Sequence, residues 1–326
     1  MSRVVIFDRT GQPDVLHIVD EPAKEPSAGE VRVRIEAIGV NRLDHMMRTG
    51  AFPRPFRLPH ARIGCEGTGI VDALGSEVDG FAEGDPVIIT AVPAMDVDGT
   101  YADQVVVPAD RLIRRPEGLT AVDGAALWVS YSTAYGALVE KAGMRPGDTV
   151  LITAASSSVG LAALQVARQI GAVPLATTRT SAKRELLLEA GAAAVFASEE
   201  GDVAAAAREF TGGAGVDIIM DAVAGPGVAA LATAAKPGGC VVLVGWMDAR
   251  PASMPTNAPL TIYRYMSFEH TLDPIVVRRM AAFLDAGLRL GALRPRVDSV
   301  FALEDVVAAH RRLDEGAHVG KIVLTT

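Results

Sequence analysis

Two cysteines in 326 residues, Cys65 and Cys240, exclude a disulfide framework and cannot supply a four-thiolate zinc site. Positive charge is also short: 31 Lys and Arg stand against 39 Asp and Glu, a net charge of −8. That balance argues against broad contact with a phosphate backbone, so no nucleic-acid partner is expected. No apolar run approaches the length of a membrane span, and no membrane partner is expected. The opening MSRVVIFDRTG lacks the long apolar core of a signal peptide, so a cytoplasmic location is the expectation. Low-complexity tracts are missing, and no repeat stands out beyond alternating strand and helix. Apolar residues, by contrast, make up 49% of a chain long enough for two domains, so a large core is available.

The most informative stretch is Gly147 to Lys183, GDTVLITAASSSVGLAALQVARQIGAVPLATTRTSAK. A short β-branched run, Val150 to Thr153, has the look of a buried parallel strand. A turn of tiny residues follows: Ala154, Ala155, Ser156, Ser157, Ser158 and Gly160. From Val159 to Ile170 large apolar residues recur at helical spacing, and Gly171 closes the helix. A helix that opens on a tight strand-to-helix turn points free N–H groups and a positive dipole end outward, which suits a pyrophosphate. Against the G-x-G-x-x-G fingerprint the turn reads Ala155-x-Ser157-x-x-Gly160, with only the third glycine kept. The alternative is an ordinary α/β crossover that holds no nucleotide.

The next strand, Val173 to Thr178, ends where an NAD enzyme carries an acid for the ribose hydroxyls. Arg179 stands there instead, with Lys183 one turn on and the hydroxyls of Thr178, Thr180 and Ser181 between them. Cations and hydroxyls together suit a 2′-phosphate, so NADPH is the expected cofactor. A solvated helix start is the plainer alternative.

In chain order, the first third reads as all-β. Val4 to Phe7, Val15 to Val19, Val31 to Ile38, Thr68 to Ala73, Val87 to Ala91 and Thr100 to Val107 lie between turn residues, as in a partly closed barrel. From about Leu119, strands at Val150, Val173, Ala194, Val216 and Cys240 alternate with Ala- and Gly-rich helices, the rhythm of a doubly wound parallel sheet. Ala222-Val223-Ala224 and Val244-Gly245-Trp246 end two of these strands, where such folds bind ligands. A Pro-rich break, Arg250 to Pro259, precedes a strand-like Leu260 to Phe268. Helices from Pro274 to Leu290 and Leu303 to Gly316 follow, then a closing strand, Lys321 to Thr325.

This order of pieces resembles the medium-chain dehydrogenase/reductase superfamily, and within it the zinc-free quinone oxidoreductase branch. Motifs that carry the resemblance are GVNRLDHMMRTG (39–50), GCEGTGIVDALGSEVDGFAEGDPVI (64–88), GTYADQVVVP (99–108) and SYSTAYGAL (130–138). The Gly147 to Lys183 stretch, GGAGVDIIMDAVAG (212–225) and HVGKIVL (318–324) complete the set. The family's doubled glycine is replaced here by Ser157-Ser158. The resemblance implies an α/β fold: a GroES-like, partly open β-barrel domain (1–121 and 265–326) and a Rossmann domain (122–264) that binds NADP.

It also implies roles. The family's zinc-binding members use a cysteine, a histidine and a second cysteine, and the matching positions here are Asn41, Cys65 and Val129. No metal is therefore expected. Asn41 and Asp44 fall at the mouth of the nicotinamide cleft as catalytic candidates, Asn41 as an amide donor; the alternative is that the two cap a turn and short helix. Thr133 matches a threonine that contacts the nicotinamide amide, and Lys321 a lysine close to the cofactor. The cofactor set is then Thr133, Ala155, Ser156, Ser157, Ser158, Val159, Gly160, Thr178, Arg179, Lys183, Val223, Gly245, Trp246 and Lys321. Met46, Phe52 and Trp128 are candidates for an apolar acceptor pocket.

Enoyl-thioester reductases of the family place a tyrosine where Phe52 stands, and a phenyl ring donates no proton. Water, His45, Tyr131 and Tyr263 remain as proton sources. The expected reaction is reduction of a quinone or α,β-unsaturated carbonyl compound by NADPH. Enoyl-thioester reduction and a non-catalytic nucleotide- or RNA-binding role are the alternatives. The strand-like 260–268 region lies where relatives pair subunits, which implies a homodimer.

Overall fold

A computed structural model describes residues 1–256 and 259–326. Positions 257 and 258 of the Pro-rich break lie outside the described residues. Two compact units emerge: one holds Met1–Val129, Thr271–Val277 and Pro295–Thr326, the other Ser130–His270 and Arg278–Arg294. These compact units differ in their bounds from the expected domains 1–121 with 265–326 and 122–264. The first boundary falls at Val129, inside the helix Ala121–Tyr135, and residues 278–294 belong with the parallel sheet rather than with the returning C-terminal segment.

In the first unit a seven-stranded sheet runs in the order Val297–Ala302, Lys321–Thr325, Glu30–Val40, Gly67–Leu74, Pro86–Ile89, Leu112–Arg114, with Gln104–Pro108 also pairing on Glu30–Val40. A three-stranded sheet orders His17–Glu21, Ser2–Phe7 and Ala61–Arg62. The long strand Glu30–Val40 alternates as a half-buried strand should, and Val31, Val33 and Ile35 face a core that also takes Val4, Phe7, Val71 and Leu324. Pairing on Gly67–Leu74 slips twice, between Arg32 and Val33 and between Ile35 and Ala37, which bends the strand as a barrel wall requires.

The expected strand Val15 to Val19 forms only from His17, because Pro13–Val15 folds as a single 3-10 turn. Thr100 to Val107 likewise shortens to Gln104–Pro108. Thr100 and Tyr101 instead give their amides to Gly64 and Ile63.

The second unit is a six-stranded, all-parallel sheet in the order Ala194–Ala197, Val173–Thr178, Thr149–Ile152, Val216–Asp221, Ala235–Leu243, Thr261–Arg264. This is the doubly wound arrangement read from the sequence. Val150, Leu151 and Ile152 are wholly buried, which explains their unbroken apolar run. The helix Ser158–Ile170 covers the sheet with Leu161, Leu164 and Val166. No helix among the described residues is long and apolar enough to cross a membrane.

Trp128 is a correction. It is fully buried in the first unit, with its indole N–H donating to the Thr90 carbonyl at 2.7 Å, so it is core rather than the wall of an acceptor pocket. Trp128→Ala removes a large buried ring and strands that carbonyl. A loss of about 3–5 kcal/mol is expected, read as a lowered denaturation midpoint by circular dichroism; an unchanged midpoint would place the ring outside the core.

Candidate functional site

The phosphate turn belongs to the second unit. Ala154 adopts φ 46°, turning the chain sharply between strand and helix. Ser157 caps the helix, its hydroxyl oxygen accepting from the Gly160 amide at 3.1 Å. A Cβ on Gly160 would lie 2.6 Å from the Ala154 carbonyl oxygen and from Ala155 Cα, so this position must be glycine for helix and strand to pack. Ala155 is fully buried and gives its amide to Thr177 at 3.2 Å. That engagement corrects its assignment as a phosphate contact.

Ser156, Ser158 and Val159 are half-buried at the opening of the helix. Lys183 reaches back across the turn, its ammonium 3.2 Å from the Ser156 hydroxyl. Thr178 and Arg179 follow the neighbouring strand, with Arg179 exposed. A cation seated on a helix opening is suited to an oxyanion of a nucleotide.

At the ends of the next strands a buried carboxylate shapes the backbone. Asp221, 1% exposed, accepts from the Thr153 hydroxyl at 2.6 Å and from the amides of Val223 (2.9 Å) and Ala224 (3.1 Å). The sequence reading passed over it although it stands within the DAVAG motif. Gly245 packs on the Ala222 carbonyl, where a Cβ would come to 2.6 Å. Trp246 is half-buried under the guanidinium of Arg264, 4.6 Å from the ring centre. Thr133, in the helix Ala121–Tyr135, is 9% exposed.

The first unit holds a separate polar cluster. Lys321 and Glu66, each 1% exposed at the side chain, form an ion pair. Lys321 also donates to Asn41 Oδ1 at 2.6 Å. Asn41 Nδ2 donates to Glu66 Oε1 at 2.9 Å and to the Gly39 carbonyl at 3.0 Å, and lies 3.5 Å from Cys65 Sγ. Glu66 Oε2 accepts from the Val129 amide at 2.8 Å. A Cβ on Gly39 would strike Glu66 Oε1 at 2.4 Å, so its absence makes room for the carboxylate.

Both amide hydrogens of Asn41 are thus engaged inside the cluster. This corrects the expectation of a free amide donor toward substrate. Lys321 is closed to solvent, at 1% exposure. Glu66 escaped the sequence reading because nothing in GCEG announces a partner 255 residues away.

The three positions matched to zinc ligands carry an amide, a thiol and an aliphatic chain. Burial pushes the Cys65 thiol well above its ordinary pKa, away from the thiolate zinc needs. The Lys321 ammonium bonds the same Asn41. This donor set does not fit a zinc ion. Among the described residues no group of three or more His, Cys, Asp or Glu gathers as metal ligands.

Asp44 lies behind this cluster and is fully buried, which corrects its placement at an open mouth. One oxygen, Oδ2, accepts from the Asn41 amide at 2.8 Å and from the Tyr101 hydroxyl at 3.0 Å, so Asp44 caps the helix Arg42–Thr49 and holds the backbone of Asn41. Oδ1 has no partner. Behind Tyr101 the buried His310 ring packs at 5.8 Å, held by Arg48, which also binds Asp314. His45 is tied to the same Asp314 at 2.6 Å, and the buried Tyr131 hydroxyl donates to Gln165 at 2.8 Å. Neither is a free proton donor. Met46 is half-buried on the helix Arg42–Thr49, and Phe52 packs edge-on against Phe56 at 6.2 Å; neither belongs to the polar cluster.

Burial raises the Asp44 carboxyl from 3.8 to about 7, outweighing the bonds from Asn41 and Tyr101 and the attraction of Lys321, while Glu66 adds to the rise. Between those values the folded chain keeps a proton that the unfolded chain has lost, so this group lowers stability as pH rises from about 4 to 7. The full span corresponds to about 4 kcal/mol. Asp44→Asn should therefore gain on the parent between pH 5 and pH 8 in paired denaturation curves. A stability difference that stays flat across that range would contradict the buried-acid assignment.

Residues 27–117 match the Alcohol dehydrogenase GroES-like domain, and residues 158–282 match the family described as Zinc-binding dehydrogenase. The chain is 30% identical over 329 residues to the human quinone oxidoreductase, covering 99% of this chain and 97% of that one. The quinone oxidoreductase structure from Pseudomonas syringae pv. Tomato DC3000 superposes with TM-score 0.92 at 27% identity, covering both chains fully. That of Escherichia coli, complexed with NADPH, superposes with TM-score 0.91 at 26% identity, again over the whole of both. The chain is an oxidoreductase of the medium-chain dehydrogenase/reductase superfamily and belongs to its quinone oxidoreductase-like branch.

Proposed function

We propose that this protein transfers hydride from NADPH to the electron-poor carbon of a quinone or α,β-unsaturated carbonyl compound, without a metal ion. The observation that carries the reading is the Lys183 ammonium on Ser156, a cation held at the opening of a Gly160-packed helix. That arrangement fits a nucleotide carrying several phosphate charges, and the NADPH bound to the Escherichia coli relative supports it. NADPH, when bound, supplies the hydride from its nicotinamide ring.

The chain's own residues orient and balance charge. The amides of Ser158 and Val159 and the Ser156 hydroxyl face the pyrophosphate, with Ser157 and Gly160 shaping the turn. Lys183, Arg179 and Thr178 take the 2′-phosphate. Val223, Gly245 and Trp246 close the strand ends, and the Thr133 hydroxyl meets the nicotinamide amide. Asn41, braced by Asp44 and by the Lys321–Glu66 pair, sets the polar rim, and Lys321 lends positive charge to an acceptor oxygen that becomes negative. Met46 and Phe52 supply the apolar contact. The final proton comes from water: His45 and Tyr131 are held by Asp314 and Gln165, and Tyr263 lies on the edge strand Thr261–Arg264 under the Lys141 ammonium.

Metal independence is supported by the donor set at Asn41, Cys65 and Val129. Buried free thiols at Cys65 and Cys240 suit a reducing, cytoplasmic setting. The strand Thr261–Arg264 ends the parallel sheet and leaves an edge for a second copy, which supports a homodimer.

NADPH oxidation followed by stopped flow should show turnover with quinones or enones, slower turnover with enoyl thioesters, and no loss after chelator treatment. Turnover with thioesters alone, or none with any acceptor, would overturn the reading. Replacing Arg179 and Lys183 together by alanine should raise KM for NADPH by about tenfold or more and that for NADH much less. Equal changes for both nucleotides would remove the 2′-phosphate assignment. Sedimentation at micromolar concentration should give a dimer.

A further inference from the structure

Beside the two cations assigned to the 2′-phosphate stands a carboxylate that the sequence motifs did not single out. Ser181 donates twice to Glu199 Oε1, from its amide at 2.7 Å and from its hydroxyl at 3.1 Å. The position of Glu199 is fixed by backbone: Ser198 and Glu199 give their amides to the carbonyls of Thr178 (3.0 Å) and Arg179 (3.1 Å). The pairing of the strands Val173–Thr178 and Ala194–Ala197 therefore continues past both strand ends and delivers this carboxylate to Ser181. Its neighbour Glu200 is paired with Arg184, whereas Glu199 forms no ion pair among the described residues. An exposed anion thus occupies the amide and hydroxyl donors between Arg179 and Lys183.

We propose that Glu199 is a specificity-determining residue, holding the Ser181 donors against a 2′-phosphate and so limiting the preference for NADPH over NADH. The inference rests on the reading of Arg179 and Lys183 given above. A 2′-phosphate and the Glu199 carboxylate are both anions and seek the same donors, so one displaces the other or they meet at close range. Like charges a few ångströms apart at a wet surface repel by enough to change affinity about fivefold. A ribose 2′-hydroxyl carries no charge and suffers no such repulsion; it also leaves the Ser181–Glu199 bonds in place. Glu199 therefore acts on one nucleotide and not on the other.

The test uses the full chain and the adenosine end of the nucleotide alone, so that hydride transfer plays no part. Calorimetry with adenosine 2′,5′-bisphosphate and with 5′-AMP would be run on the parent, Glu199→Gln and Glu199→Lys. Bisphosphate affinity should rise about fivefold on Glu199→Gln and further on Glu199→Lys, while 5′-AMP affinity stays within about twofold. A graded response to charge distinguishes this role from a structural one, which would weaken both probes in both variants. A bisphosphate-to-AMP ratio that stays constant across the series would overturn the proposal while leaving the nucleotide reading intact. Failure of the parent chain to bind either probe would remove both together.

Discussion

A buried ion pair sets the geometry of the barrel-side cluster. Lys321 and Glu66 lie out of water, and such a pair is sustained only when its remaining protons and lone pairs find partners. Here Glu66 takes Lys321 and Asn41 on one oxygen and the Val129 amide on the other. Asn41 then has no choice of orientation: its carbonyl oxygen must face the ammonium and its amino group the carboxylate. Asn41 is held by charge rather than by packing, and loss of either ion would leave the other buried and unanswered. The same cation bonds Asn41, one of the three positions matched to zinc ligands.

The parallel-sheet unit uses a carboxylate for a related purpose. Asp221 gathers the Thr153 hydroxyl and two successive amides, and so fixes the ends of adjacent strands relative to one another. In open α/β sheets those ends are where ligands sit. Both buried acids shape backbone and neighbours, and neither needs to touch a substrate to matter.

How much of this was legible beforehand depended on whether the signal was local. The strands Val173–Thr178 and Lys321–Thr325 formed with the ends read from the sequence, because each has a buried centre that the sequence shows as a short local run. Ala61–Arg62 and Leu112–Arg114 were missed: two or three residues carry no periodicity, and only their neighbours make them strands. Ala235–Leu243 opens on Ala-Lys-Pro-Gly-Gly, which reads as a turn and stays irregular: pairing with Val216–Asp221 jumps from Ala235 to Cys240. Motif order pointed to Asn41, Asp44, Lys183 and Lys321 but not to what they bond. Glu66, Tyr101 and Glu199 were invisible because each acquires its role from a partner distant in the chain. Trp128 was misplaced for the converse reason, since an aromatic residue near a motif reads equally well as pocket or core.

The serines that replace the doubled glycine show how local chemistry and charge trade places. Glycines would let the backbone approach a pyrophosphate closely and leave its amides open. Ser157 instead closes one amide by capping Gly160, and Ala155 is engaged with Thr177. The turn therefore presents fewer backbone donors than its fingerprint suggests. Lys183, drawn onto Ser156, restores attraction for an anion by charge instead of by directed amide bonds. Attraction of that kind reaches further but discriminates less and weakens with salt. Were an anion bound at such a turn, its selectivity would rest on the neighbouring charges, Arg179 and Glu199 among them, more than on the shape of the turn itself.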